Sequence, residues 1–351
     1  MDGELLLYGA TGYSAGLVIE AMRALGLRPI LAGRNAKRLE GLANRLGLEH
    51  RVAPLTDAHA LDAALRGIGV VLHAAGPFVE TAAPMVDACL RHRAHYLDLS
   101  GEAAVVADIA HRHEEARRRG VMLMPAVGFE AVPSDCLAAH VVRRLPSART
   151  LAIATTASPF ASRGSLRTLA TLGTQSLVRR GGLLAVLPTA ALARDFDFGT
   201  GPSQALSCGL VDVVTAWYTT GVPDVTGYLE ASPALRTAVA AWRMGSALWG
   251  TAPGRAWLGA CAALLPDGPS LEQRRTYRMA IVVEAADGRR RVASRLTTPE
   301  AYTTTALAAA IVAGRVMRGD VETGLQTPAR VWGPDLALHI PNVVREDVTG
   351  V

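Results

Sequence analysis

The residues with the clearest chemical meaning stand at the start of the chain. A glycine turn, Gly9-Ala10-Thr11-Gly12-Tyr13-Ser14-Ala15-Gly16, follows a short apolar run at 4–8 and precedes a helical stretch, Leu17 to Leu25. Gly9 permits a tight turn, and Gly12 lets a diphosphate approach the backbone. Ala15 fills the third position of the pattern with the smallest side chain that still allows helix–strand packing. The free N–H groups at the helix start suit a pyrophosphate. Thr11, Tyr13 and Ser14 lie in the same turn and join Gly9 and Gly12 as candidate cofactor contacts. The strand before, the helix after and the position in the chain favour dinucleotide binding over a merely structural turn.

The second strand (28–33) ends in Gly33-Arg34-Asn35 with no acid nearby. An NAD-type site wants a carboxylate there for the ribose 2′-hydroxyl. Arg34 instead offers a fork of donors suited to a 2′-phosphate, and Lys37 one turn further adds a second charge. NADP(H) is therefore the expected cofactor, with Arg34, Asn35 and Lys37 at its adenosine end. The alternative is two exposed cations at a helix start. After the fourth strand, Ala75-Gly76-Pro77 is expected to line the nicotinamide ribose and diphosphate.

Hydride transfer needs a polarised acceptor and a proton donor. Ligands bind beyond the carboxyl ends of strands in this class of sheet. Tyr96 is the first candidate donor, followed by Glu102 and Glu130. The competing reading of Tyr96 is a core tyrosine with a satisfied hydroxyl. Tyr96 and Asp98 share one strand face, being two apart. Asp98 and Asp135 are substrate-side candidates equally suited to accepting backbone N–H bonds. Ser134 is a possible cap for a helix beginning at Cys136. His73, inside an apolar strand, reads as a core histidine. No His or Cys grouping has metal spacing, so no metal is expected.

These residues need a frame. Strand-like and helix-like segments alternate with short turns through the first 130 residues, including strands at 50–55, 70–75, 95–99 and 121–125. Helices are expected at 35–46, from about 81 to 92, and as one long element ending at Arg119. Asp57 is a candidate helix cap. That alternation predicts an α/β fold: a doubly wound parallel-sheet Rossmann domain over 1–149. From about Thr150 the alternation fails. A second α+β domain with a mixed sheet is expected over 150–299, for substrate and dimer contacts. Residues 150–158, 211–221 and 274–286 read as strands and 162–178 as a helix. Tyr228–Leu265 reads as helical and apolar, with Trp242, Trp249 and Trp257 on one face if the helix is continuous. A helix at 301–318 and the tail to 351 are expected to return to the first domain.

The chain has 351 residues, half of them hydrophobic and 19% charged, which excludes wholesale disorder. Lys37 is its one lysine, so any Schiff-base chemistry would have to use that residue. The formal charge of +5 reflects a near-total choice of arginine over lysine, not a nucleic-acid footprint. The triplets Arg117–Arg119 and Arg289–Arg291 read as solvated faces. Cys89, Cys136, Cys208 and Cys261 read as small buried hydrophobes in a reducing compartment. With neither a signal peptide nor a long apolar run in view, a cytoplasmic location without a transmembrane segment is expected.

The runs GATGYSAG…PILAGRN (9–35), VVLHAAGPF (70–78), ACLRHRAHYLDLSGE (88–102), VMLMPAVGFEAVPSDCLA (121–138), RLTTPEAYTTTALA (295–308) and GLQTPARVWGPD (324–335) resemble the saccharopine dehydrogenase-like family. The closest likeness is to its bacterial, trans-acting enoyl reductase-like branch. The resemblance implies an NADP-binding Rossmann domain. It also implies reduction or oxidation of C–N bonds, or reduction of enoyl groups during polyketide lipid assembly. Arg163, in a Ser-Arg-Gly turn, resembles a family position and is a substrate candidate; a solvated arginine is the alternative. Three departures stand out: Ala15 where glycine is common, Arg93 where a small residue is common, and Gly128-Phe129-Glu130 where the third residue is usually Asp.

The expected function is an NADPH-dependent oxidoreductase passing hydride to a polarised C=C of a hydrophobic substrate, small or carrier-bound. The alternatives are C=N reduction and a non-catalytic NADP(H)-binding scaffold or sensor. A homodimer is expected, and nucleic-acid partners are not.

Overall fold

The computed structural model describes residues 3–157, 175–231, 251 and 266–348. In chain order the elements are β1 (Glu4–Tyr8), α1 (Tyr13–Ala24), β2 (Ile30–Gly33), α2 (Ala36–Leu46), β3 (His50–Val52), α3 (Ala58–Ala64), β4 (Ile68–His73), α4 (Phe78–His92), β5 (His95–Asp98), α5 (Ala103–Ala110), α6 (His113–Arg119), β6 (Met122–Met124) and α7 (Val132–Arg144). Then follow β7 (Thr150–Thr155), β8 (Gln175–Arg180), β9 (Leu183–Pro188), β10 (Ala193–Asp197), β11 (Pro202–Cys208), α8 (Asp212–Thr220), β12 (Asp224–Glu230), α9 (Leu271–Thr276), β13 (Arg278–Ala286), β14 (Arg291–Pro299), α10 (Ala301–Met317), β15 (Gly324–Leu325), α11 (Pro328–Trp332) and β16 (Val344–Val348).

They form two compact units, Met1–Val132 with Tyr302–Pro341, and Pro133–Ala301 with Asn342–Val351. The first holds a seven-stranded parallel sheet in the order β15-β6-β5-β4-β1-β2-β3. Strand order reverses between β1 and β4, the place where such sheets open a crevice at their carboxyl ends. The central strands are apolar because both faces are covered: Leu6, Leu7, Val70, Val71 and Leu72 are fully enclosed. Asn35 and Asp57 cap α2 and α3, accepting the N–H groups of Arg38 and Ala60 at 3.0 Å each. The doubly wound expectation holds for this unit. The long helix expected up to Arg119 is two, α5 and α6, with Arg112 between them paired to Asp87 and Glu115.

The second unit is built on a nine-stranded mixed sheet. Its main path is β10-β11-β12-β7-β13-β14-β16, with β8 on β12 and β9 on β8. Only β7 and β12 pair in parallel. β10 and β13 are four places apart, roughly 19 Å in a flat sheet, yet Arg194 on β10 reaches Glu284 on β13 at 2.6 Å. Arg295 on β14 likewise stands 3.8 Å from Asp197. The sheet therefore curls on itself. The curl encloses Phe196, Phe198 and Tyr228 against small residues, Ala152, Ala154, Ala205 and Ala280, and against Val282.

Several local expectations are corrected. Residues 211–221 do not form a strand: Asp212–Thr220 is a helix ended by Gly221 at φ +72°. Its β-branched residues suggested a strand, but Asp in the first turn and Gly at the stop are helix signals. Residues 175–178 belong to β8 and are not helical; the rest of the helix expected at 162–178 lies outside the described residues, apart from that stretch. So do Trp242, Trp249, Trp257 and Cys261. Tyr228–Glu230 is strand, not the start of a helix. The units divide within α7 and at Ala301/Tyr302, against expected divisions at 149/150 and 299/300. The tail is shared, since β16 pairs with β14 in the second sheet.

Candidate active site

The glycine turn is a tight cradle. Gly9 has φ +85°, and a Cβ there would come within 2.9 Å of the backbone of Ala74 and Ala75, so only glycine fits between the ends of β1 and β4. Gly12 precedes α1, whose N-terminus has no side-chain cap and no acid in its first turn. Those N–H groups are the ones a diphosphate would accept from. Thr11 is exposed and Ser14 half-buried beside them, and the Tyr13 ring packs edge-on against Tyr302 at 5.3 Å. Ala15 is buried, as the packing argument requires.

Arg34 is exposed at the end of β2 and makes no hydrogen bond or ion pair among the described residues. Lys37 is exposed one turn on. The Asn35 side-chain oxygen caps α2 by accepting from Arg38 N. Ala75-Gly76-Pro77 follows β4 with a cis Gly76–Pro77 bond. The loop is tied down by the Thr81 hydroxyl, which donates to Ala75 O at 2.6 Å. His73 Nε2 lies 3.1 Å from that hydroxyl, and burial pushes its imidazole down to about 3. His73 is a neutral core residue.

The carboxyl end of β5 carries a closed network. The Tyr96 hydroxyl donates to Asp98 Oδ2 at 2.8 Å. Asp98 Oδ1 accepts from Ser100 N at 2.9 Å, Ser100 Oγ at 2.6 Å and Ala126 N at 2.7 Å. Tyr96 and Asp98 are both fully buried. Burial, then the Asp98 charge, raises the Tyr96 phenol well above its ordinary value. Burial also raises Asp98 despite four hydrogen bonds. Tyr96 is thus a core tyrosine whose proton is committed, not an accessible donor, and Asp98 binds the chain's own N–H and O–H groups.

Two carboxyls remain. Glu102 sits immediately before α5, 5% exposed. Its Oε1 accepts from Phe78 N at a long 3.4 Å, and its Oε2 has no hydrogen-bond partner among the described residues. Burial raises its pKa. Glu130 keeps exposed surface and lies over Gly101, where a Cβ would meet its side chain at 3.1–3.4 Å. The protein crowded around its carboxyl, then the Glu102 charge, raises its pKa. The loop bearing it is anchored by α10: Phe129 N donates to Thr305 Oγ1 at 3.1 Å, and a Cβ on Gly128 would strike Thr305 at 2.9 Å.

In the second unit, Asp135 is fully buried in α7 and accepts from the Thr219 hydroxyl, a structural role. Ser134 lies inside that helix and does not begin one. Arg163 lies outside the described residues. Arg93 closes α4 at φ +57°, before β5 starts. It therefore stands at the amino end of the strands, away from the crevice, and the small residue common there reflects the left-handed backbone. Sequence reasoning passed over the Thr81 and Thr305 hydroxyls, whose partners are known only once the loops are folded.

The cradle, the uncapped helix and the exposed Arg34 at the end of β2 all lie in a stretch that resembles a known NADP-binding domain. Residues 5–124 match the saccharopine dehydrogenase NADP binding domain. A trans-acting enoyl reductase of Mycobacterium leprae is 36% identical over 155 residues, covering 42% of this chain and 37% of that one. One from Mycobacterium ulcerans is 34% identical over 149 residues, covering 40% and 36%. The chain thus spans under two-fifths of these relatives. Apo saccharopine dehydrogenase (L-Glu forming) from Saccharomyces cerevisiae shares the fold at TM-score 0.64 and 14% identity, over 99% of this chain and 100% of that one. Among the described residues no helix is long and apolar enough to cross a membrane.

Proposed function

We propose that the chain is an NADP(H)-dependent oxidoreductase that reduces a polarised, enoyl-type C=C of a hydrophobic substrate. The observation that carries the reading is the Gly9–Gly12 cradle before an uncapped, acid-free α1, with Arg34 unpaired at the end of β2. The names of the mycobacterial relatives, whose likeness extends over 40–42% of this chain, support the enoyl reaction.

In this reading the α1 N–H groups and the Gly9 and Gly12 backbone hold the diphosphate. Arg34, with Lys37, meets the 2′-phosphate, and Ala75-Gly76-Pro77 lines the nicotinamide side. A dinucleotide held there would supply a hydride for the β-carbon of the substrate, leaving the α-carbon to take a proton. Glu130, exposed and raised in pKa, delivers that proton. Glu102 holds the neighbouring buried position, and its charge helps raise the Glu130 pKa. Tyr96 and Asp98 fix the floor beneath them.

Turnover of NADPH with a simple enoyl thioester, followed by NADPH absorbance, tests the reading. Oxidation of NADPH with formation of the saturated thioester is expected. Turnover only with an oxo acid and an amine would replace it with C=N reduction. Tight NADPH binding without turnover of either class would replace it with a scaffold.

A further inference from the structure

The curled sheet of the second unit lines a cavity of about 310 Å³ that opens to solvent, at the end where β7 and β12 begin and β13 stops. Three guanidinium groups line it, from Arg180, Arg194 and Arg291, with the carboxylates of Asp224 and Glu284. The carboxylates do not satisfy the cations. Glu284 Oε2 is taken by Arg194 at 2.6 Å and is 3.9 Å from Arg291, beyond hydrogen-bond reach. Asp224 Oδ1 accepts from Gly181 N at 2.7 Å. Arg180 donates through Nη1 to Arg179 O and Thr226 Oγ1, each at 2.8 Å, and has no ion pair among the described residues. Its Nε and Nη2 are left over.

A further donor points the same way. Tyr228 lines this cavity with most of its side chain buried, and no hydrogen bond joins its hydroxyl to a described residue. The Arg194 guanidinium stacks over Phe196 at 4.9 Å and lies 5.9 Å from the Tyr228 ring, so this wall is fixed in advance. The space therefore presents donors and positive charge in excess of acceptors. Its volume is at the lower end for small-molecule pockets, about 300–1,000 Å³. Guanidinium forks match the planar oxygens of carboxylates and the oxygens of phosphates.

We propose that this cavity binds a small oxyanion ligand, a carboxylate- or phosphate-bearing molecule, held by Arg180, Arg291 and the Tyr228 hydroxyl. The Arg194–Glu284 pair holds the wall and is not the ligand contact. The site lies wholly within the second unit and does not depend on the proposed reaction.

Calorimetric titration of the full chain with malonate and with inorganic phosphate, at low salt, tests this. One-to-one binding of at least one probe is expected, weakening as sodium chloride rises. Arg180→Gln and Arg291→Gln should each weaken it at least tenfold, while NADPH affinity and the melting temperature stay as in the parent chain. Tyr228→Phe, which keeps the ring and removes the hydroxyl, should weaken it several-fold. Preference for malonate or for phosphate identifies the ligand's headgroup. Absence of binding by both probes overturns the proposal, as does binding that all three variants retain. Should Arg180→Gln melt early, the exposed Arg291 and the Tyr228→Phe variant still decide the question.

Discussion

Asp98 Oδ1 accepts the backbone N–H of Ala126 at 2.7 Å, and Ala126 stands in the left-handed region at φ +60° without being glycine. The carboxylate thereby fixes the turn after β6 to the end of β5, with Ser100 and Tyr96 on its remaining positions. Removing it leaves buried donors unpaired. Asp98→Ala should cost at least about 3 kcal/mol of unfolding free energy, and Asp98→Asn about 1–3 kcal/mol, because one acceptor becomes a donor facing Tyr96. Urea denaturation checks both. A stable Asp98→Ala chain that has lost only substrate affinity would return Asp98 to the ligand-binding residues.

His73 gives the fold an acid limit. Its pKa is about 3 in the folded chain against an ordinary 6.5, because burial disfavours the imidazolium. A base with a depressed folded pKa binds fewer protons than its unfolded counterpart throughout that window. Its contribution is complete above pH 6.5 and is lost as pH falls toward 3. The slope is about 1.4 kcal/mol per pH unit, so about 2 kcal/mol should go between pH 6.5 and 5. His73→Asn removes the titration and should flatten this part of the stability curve, measured by urea midpoints across that range. An unchanged slope in the variant would assign the loss to other groups.

The crevice was legible in the sequence where local geometry decides it. The places of Gly9, Gly12 and Arg34 in the fold follow from turn shape and strand ends, which a single sequence displays. Tyr96 and Asp98 stand two apart on one strand face, which correctly brought them together but said nothing of whether the face was open. Burial is a property of the packed sheet, and it turns that pair from candidate chemistry into support. Arg289–Arg291 are all exposed, as the sequence suggests, but Arg291 also lines a cavity, and the curl that brings β8, β10 and β14 to one space has no local sequence mark. The strand misread at 211–221 failed on propensity, which packing overrides.

Two glycines seven residues apart, Gly9 and Gly16, should answer substitution oppositely. Gly9→Ala meets both a positive φ and backbone atoms at 2.9 Å, so the turn must deform. A loss of about 2 kcal/mol or more is expected, with NADPH binding reduced beyond what the stability change explains. Gly16 lies inside α1 with nothing within 4 Å of an added Cβ. Gly16→Ala should stabilise by about 0.5–1 kcal/mol through helix propensity. Thermal melts and NADPH titration of the two variants, side by side, check the contrast.

Arg34 should separate the two nicotinamide cofactors. It is exposed and otherwise unpaired at the end of β2, so its loss disturbs nothing else. Arg34→Ala should weaken NADPH by about 1–3 kcal/mol, the range of a charged hydrogen bond, and leave NADH nearly unchanged. Fluorescence titration with both cofactors reads the difference. Equal weakening of the two would mean that Arg34 meets the diphosphate or nothing, and the 2′-phosphate would need another partner.

The carboxyl pair should show itself in the pH profile of turnover. Glu102 and Glu130 both have raised pKa values, burial or crowding being the main cause in each, and the Glu102 charge is the second cause at Glu130. A donor must be protonated, so the rate should fall as pH rises through the raised Glu130 value. Glu130→Gln removes the proton and should lower turnover about 100-fold or more, with NADPH affinity intact. Glu102→Gln keeps an acceptor for Phe78 N but removes the neighbouring charge. Glu130 then loses one of the influences that raise it, and the falling limb moves to lower pH while turnover at acid pH is preserved. A limb that stays in place in Glu102→Gln, or survives in Glu130→Gln, would assign the proton to another group.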